Sequence, residues 1–227
     1  MTISQLHQAF KIGLDKIDSL EYPDIAPEEI DFLLNQAADR FVKQRYGTTN
    51  IKRQSFEETQ KRTEDLKTLV KSAQLTPEAY SVDNISTTSR FYTLPDDHRY
   101  IVQEQCNITY NDCHGNPITS KVLVRPIQHD DYDKILTDPF NRPSNTKVLR
   151  LMSEGKVEII TGTAYTLGTY YLRYLKLMTP VSLSGNITLE LPVDTHQEVV
   201  DIAVDIALEN IESRRTQTFN KIINTQE

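Results

Sequence analysis

The apolar positions of the first 76 residues recur at helical spacing. Ile3, Leu6, Phe10, Leu14 and Ile17 lie three or four residues apart, one stripe of an amphipathic helix that is expected to end near Leu20. The stretch YPDIAP then breaks the chain. Pro27 falls where a first helical turn accepts proline, and Glu28, Glu29 and Asp31 put negative charge at the positive end of the helix dipole. Ile30, Leu33, Leu34, Ala37, Ala38, Phe41 and Val42 form the next stripe, with Gly47 as its stop. Ser55 and Glu58 fit a capping box that opens a third helix, whose stripe of Thr59, Arg62, Leu66, Leu69, Val70 and Ala73 is thin in apolar residues. Such a helix is expected at the periphery or completed by a partner.

Beyond Pro77 the period changes from helical to alternating. Short runs rich in Val, Ile, Thr and Tyr predict strands over 90–94, 100–110, 120–126, 148–152, 157–161, 166–178 and 186–191. Asn111 to Asn116 reads as a hairpin loop, Glu154-Gly155 as a tighter one, and 130–136 as a short helical turn. Strands this close together favour antiparallel pairing over βαβ units. The helical period returns at the end. Thr195 and Glu198 fit a second capping box ahead of Val199, Val200, Ile202, Ala203, Ile206, Ala207 and Ile211, and Val204 and Leu208 widen the stripe enough to predict burial against the first helices. The fold class expected is α+β: a helical bundle from the N- and C-terminal helices with an inserted antiparallel β-rich region. Its parts are 1–76, 77–193 and 194–227, the last ending in a polar tail from Ser213.

Composition narrows the chemistry. The 227 residues hold only seven glycines, which disfavours the glycine-built phosphate cradles of dinucleotide and P-loop enzymes. A formal charge of −7 is opposite to that of most nucleic-acid binders. By segment the charge is −1 over 1–76, −2 over 77–193 and −4 over 194–227, so the last helix and tail stand out. The N-terminal MTISQLHQAFKIG has no apolar core of a signal peptide, and no run is long enough to span a membrane; synthesis in a cytoplasm is expected.

No constellation specifies catalysis. In His129-Asp130-Asp131 the residues adjoin along the chain and so do not face one another; a loop running into a helix start explains them. Cys106 and Cys113 lie seven apart with His114 next to the second, half a zinc site without its other half, and are read as two reduced thiols. His196, in the first turn of the last helix, is expected to be exposed. Lys43, Arg45, Lys52, Arg53, Lys61 and Arg62, with Tyr46 among them, are a basic run that Glu57, Glu58 and Glu64 interrupt, a mixed-charge exposed face more than a phosphate track. Arg214 and Arg215 are placed to complement the C-terminal dipole of the last helix or to dock on an acidic partner. No catalytic residue, metal or cofactor is assigned.

Three stretches carry a resemblance. PEEIDFLLNQAADRFVKQRYG (27–47), YYLRYLKLMTPVSL (170–183) and ELPVDTHQEVVDIAVDIALENIESRR (190–215) resemble the head–tail connector, or ring, proteins of crAss-like tailed bacteriophages of Bacteroidales. They cover about a quarter of the chain and are not catalytic motifs. The resemblance implies a virion structural protein: an adaptor ring of about twelve copies in cyclic symmetry beneath the portal, through which double-stranded DNA passes without specific binding. Its implied partners are further copies of itself, the portal and other connector or tail rings. The neighbouring copy would then complete the thin third helix, and Arg214, Arg215, Phe219 and Ile222 are the expected portal-docking residues. Another ring or stopper lower in the connector is the nearest alternative; an enzyme using His114 and His129, or a DNA-binding module, is a more distant one.

Overall fold

The computed structural model describes residues 1–17, 25–47 and 56–210. Its contacts divide the chain into a helical unit, Met1–Leu69 with Met178–Glu227, and a sheet unit, Val70–Leu177. The helices, and strands concentrated in one continuous segment, make the chain α+β.

In the helical unit, α1 (Ile3–Ile17) and α2 (Pro27–Tyr46) both pack on α5 (His196–Asn210). The apolar stripes form the core: Leu6, Phe10, Ile30, Leu34, Phe41, Val199 and Ala203 are buried. At Gly13 a Cβ would come within 3.0 Å of the Val204 side chain, so α5 packs closely on α1 where α1 has no side chain. Pro27 opens α2 and Gly47 closes it, donating to the Lys43 carbonyl. The Thr195 capping box does not form. Thr195 belongs to a preceding 3-10 turn (Val193–Thr195) and its hydroxyl donates to the Pro192 carbonyl, while Glu198 is drawn away to basic side chains.

The third helix differs most from expectation. The stretch splits into α3 (Gln60–Leu66), a 3-10 turn (Lys67–Leu69) and strand β1 (Val70–Leu75). Val70 and Ala73, read as helical, pair with Leu175 and Leu172 in the sheet, a case of tertiary pairing overriding local period. The buried face of α3 is Arg62, Asp65 and Leu66. Its thinness in apolar residues reflects these buried ionic groups.

The sheet unit has seven strands: β1, β2 (Ser89–Thr93), β3 (His98–Asn111), β4 (Pro117–Pro126), β5 (Lys147–Ser153), β6 (Lys156–Ile160) and β7 (Thr166–Lys176). Their order is β1-β7-β3-β4-β5-β6-β2. All pairs are antiparallel except β4 with β5, which is parallel, so the sheet is mixed and not purely antiparallel. The connection that makes this pair parallel runs through a 3-10 turn (His129–Asp131) and helix α4 (Tyr132–Thr137), where a helical turn was expected. The sheet curls until β2 meets β7: the Tyr92 and Tyr170 rings lie 5.4 Å apart, and the Tyr92 hydroxyl donates to the Gly168 carbonyl at 2.7 Å. Inside lie Cys106, Ile108, Val148, Val157, Ile159 and Leu172. On the other side of β5 and β6, Leu149, Leu151 and Ile160 are covered by Ile127, Tyr132 and Ile135, the last two on α4. Both hairpin loops occur where expected, and Gly155 takes the positive φ of 64° that its turn requires. The expected strand over 186–191 is only one isolated bridge, Ser182 to Ile187, within the helical unit.

Candidate functional site

The two described arginines of the basic run on α2 and α3 turn inward. Arg45 continues the apolar stripe one turn beyond Phe41 and Val42, and it is only 4% exposed. Its Nε donates to Asp65 at 3.0 Å, its other guanidinium nitrogen donates to Glu198 on α5, and the group lies over the Phe41 ring at 4.8 Å. Arg62 is buried too and donates to the carbonyls of Arg45 and Gly47, where the negative end of the α2 dipole favours a cation. Lys43 pairs with Asp39, and Lys61 reaches Glu198 at 3.6 Å. Arg45 and Arg62 therefore tie the helices of this unit together, while Lys43 and Lys61 stay on the mixed-charge exposed face that was expected; Lys52 and Arg53 lie outside the described residues.

A second polar clamp joins α2 to the segment after the sheet. Asp31 accepts from the Leu183 backbone at 2.9 Å and from His7 at 2.8 Å, and Asn35 makes two hydrogen bonds with the Val181 backbone. Asp31, Asn35, Arg45 and Glu198 thus link α2 to 178–183 and to α5, parts of the three stretches that carried the family resemblance. The sequence pattern assigns Asp31 to the helix dipole, Glu198 to a capping box and Arg45 to an exposed basic run, and does not mark Asn35. The available signal was a charge on an apolar stripe, at Arg45.

The candidate chemical residues separate. His129 Nε2 donates to the Met152 carbonyl at 2.9 Å, Asp131 pairs with Lys134, and the triplet is an exposed structural turn. Cys106 is buried and Cys113 exposed, both free; burial pushes the Cys106 thiol up to about 11. His114 contacts Cys113 and Asp112 in the hairpin loop, away from His129 in the chain's pairing scheme. His196, expected at the surface, is buried with Nε2 donating to the Leu191 carbonyl at 2.9 Å, and burial holds it below the ordinary histidine range. No group of three metal-ligating side chains converges among the described residues. Among those residues, no helix is long and apolar enough to cross a membrane.

The sheet unit buries one carboxylate, Glu158, and half-buries another, Glu104. Glu158 accepts from the Ser89 hydroxyl, the Ile85 backbone at 2.7 Å and Asn84, fixing the 81–89 loop. Glu104 accepts from the Tyr170 hydroxyl at 2.7 Å and faces Arg150 at 3.4 Å; burial raises its pKa despite both partners. Each is held by structural partners. What remains open is surface, and charge divides it sharply: the sheet unit carries 12 basic and 12 acidic residues, the helical unit 13 and 20, so the entire −7 belongs to the helical unit.

A family model described as phage tail ring protein 3/4 matches residues 1–221. The chain belongs to this family. It is also 26% identical over 202 residues to Ring protein 3 of Bacteroides phage crAss001, which covers 82% of this chain and 86% of that protein. The resemblance carried by the three stretches therefore extends over nearly the whole length, and the chain is a structural ring protein of a crAss-like phage. The expected docking residues Arg214, Arg215, Phe219 and Ile222 lie outside the described residues.

Proposed function

We propose that copies of this ring protein close into a cyclic assembly of about twelve in the connector between phage head and tail, linking portal to tail and enclosing part of the path of the packaged DNA. The observation that carries this reading is the family match over residues 1–221. The helical unit gives the ring its rigid body: α1 and α2 seat on α5, and Arg45, Asp65 and Glu198 fix the ends of three helices. The family's description as a tail ring favours a place on the tailward side of the connector over a seat directly on the portal. In either place Arg214, Arg215, Phe219 and Ile222 dock the tail segment onto the next component towards the head. A net negative helical unit facing the lumen repels phosphates, so DNA slides past without sticking.

Electron microscopy of virions tests this by locating the ring, its copy number and its neighbours. A ring of about portal order in the connector, with a lumen not dominated by Lys and Arg, is the expected result. A location outside the connector and tail overturns it. Deleting 213–227 should leave the chain folded and abolish docking; loss of folding overturns the role given to that segment.

A further inference from the structure

One face of the sheet unit is open and positively charged. Alternation along the strands sends Tyr170, Leu172 and Val122 into the curled interior and turns Tyr171, Arg173 and Lys121 outward. Register aligns Gln74, Tyr171, Gln105 and Leu123 in one row across β1, β7, β3 and β4. The next row joins Arg173 to Gln103. A groove of about 270 Å³ runs among Gln74, Gln103, Gln105, Lys121, Tyr171 and Arg173. Lys121 Nζ sits 3.8 Å from the centre of the Tyr171 ring, and neither Lys121 nor Arg173 has a carboxylate partner among the described residues. At its edge Leu123 is 65% exposed. Two unneutralised cations, several amides and an apolar residue suit a carboxylate-bearing, partly apolar ligand.

The helical unit carries the complementary feature. Phe32 on α2 is 67% exposed, and Glu28 lies one helical turn before it on the same face. Glu28 is exposed and has no partner among the described residues. The other large exposed apolar residues of that unit are less apt: Ile12 adjoins Lys11, and Val193 adjoins Asp194, which lies within electrostatic reach of Lys67. Resting on the ring reading above, we propose that the sheet face of one copy seats the start of α2 of the next, Glu28 against Lys121 and Arg173, and Phe32 against Leu123. Because the two surfaces belong to different units, the contact is head-to-tail, the kind that closes rings. Each contact then sets an acidic helical unit against the cationic face of a sheet unit that is neutral as a whole. A DNA backbone is the less suitable occupant. Two cations on a unit of zero net charge fall short of the six or so phosphate contacts that make duplex binding strong.

The test is assembly of the full chain, followed by native mass spectrometry and sedimentation over a concentration series. Lys121→Glu with Arg173→Glu should raise the concentration for half-assembly by at least ~10-fold, and Phe32→Ser should do so alone. All these residues are exposed, so each variant should melt as the wild type does. Adding Glu28→Lys to the double variant should recover much of the loss. Rings that form equally well in all variants overturn this contact and leave the ring reading standing; a wild-type chain that stays monomeric at every concentration overturns both. Salt-sensitive retention on duplex DNA that disappears in Lys121→Glu/Arg173→Glu while rings persist assigns the face to nucleic acid and overturns the proposal.

Discussion

Both units bury ionised groups, yet they compensate them in different ways. The helical unit sets charge against charge: one guanidinium, Arg45, is shared by carboxylates from α3 and α5. In the sheet unit Glu158 is surrounded by neutral donors, a hydroxyl, an amide and a backbone N–H, and Glu104 has a phenol as well as a guanidinium. The first arrangement ties together elements distant in sequence, since Arg45 and Glu198 are 153 positions apart. The second fixes a loop onto its own sheet. Ionic ties across helices suit a body that must keep its shape while carrying all of the net charge. A sheet stapled by hydrogen bonds over an apolar interior is comparatively indifferent to that charge.

The largest test of this difference is Arg45→Met. It keeps much of the side-chain volume over Phe41 but takes the guanidinium from Asp65 and leaves Glu198 only the more distant Lys61. Removing one member of a buried ionic cluster costs about 3–5 kcal/mol. Hydrogen exchange resolved by residue should show α2, α3 and α5 losing protection while β3 and β7 keep theirs. Equal loss in both units would show that the two kinds of compensation are not independent.

Glu158→Gln is the matching change in the sheet. The amide keeps the size of the carboxylate and an oxygen for the Ile85 N–H, but charge-assisted bonds become neutral ones, costing about 1–2 kcal/mol. The loss should appear first as faster exchange in the 81–89 loop and on β2 and β6. A cost as large as that of Arg45→Met would remove the contrast.

The regular elements were legible in the sequence because each is governed by a local period. Six of the strands and the helices α1, α2 and α5 follow from spacing 2.0 or 3.6 in residues that end up buried. The seventh strand was not legible: Val70 and Ala73 fit a weak helical stripe, and only the partner β7 decides between the periods. The same holds for the parallel pair of β4 and β5, which depends on how 127–146 crosses over. The buried charges were hidden for a related reason. A guanidinium is assigned to solvent unless its partners are known, and those of Arg45 lie 20 and 153 residues away. His196 was misread likewise, because exposure was inferred from its place in a first helical turn. The open sheet face was legible only as alternation; that Lys121, Tyr171 and Arg173 share it depends on pairing among β3, β4 and β7.

A smaller effect isolates the turn geometry of the sheet. Gly155 has φ 64° with no atom within 4 Å of an added Cβ, so Gly155→Ala meets backbone strain and no clash. The cost should be about 1 kcal/mol, read as a lowered melting temperature with protection lost first at the β5–β6 hairpin. Protection lost in α2 or α5 instead would mean that the hairpin is coupled to the helical unit.

The smallest effect expected is in pH, and here the units behave alike for different reasons. Burial lowers the His196 pKa in the helical unit. In the sheet unit burial, then the charge of Arg150, lowers that of His98. In the unfolded chain both titrate near the ordinary value of about 6.5. Below that value the unfolded chain binds protons that the folded chain does not, so stability is full above about 6.5 and declines as the pH falls towards the lowered folded values. His196→Gln supplies an amide donor for the Leu191 carbonyl but no titrating group. It should flatten this decline in the exchange of α5 and leave the decline in β3 unchanged. If the slope in α5 persists in His196→Gln, a different group sets the acid sensitivity of the helical unit. If the slope in β3 also vanishes, the two units do not open separately.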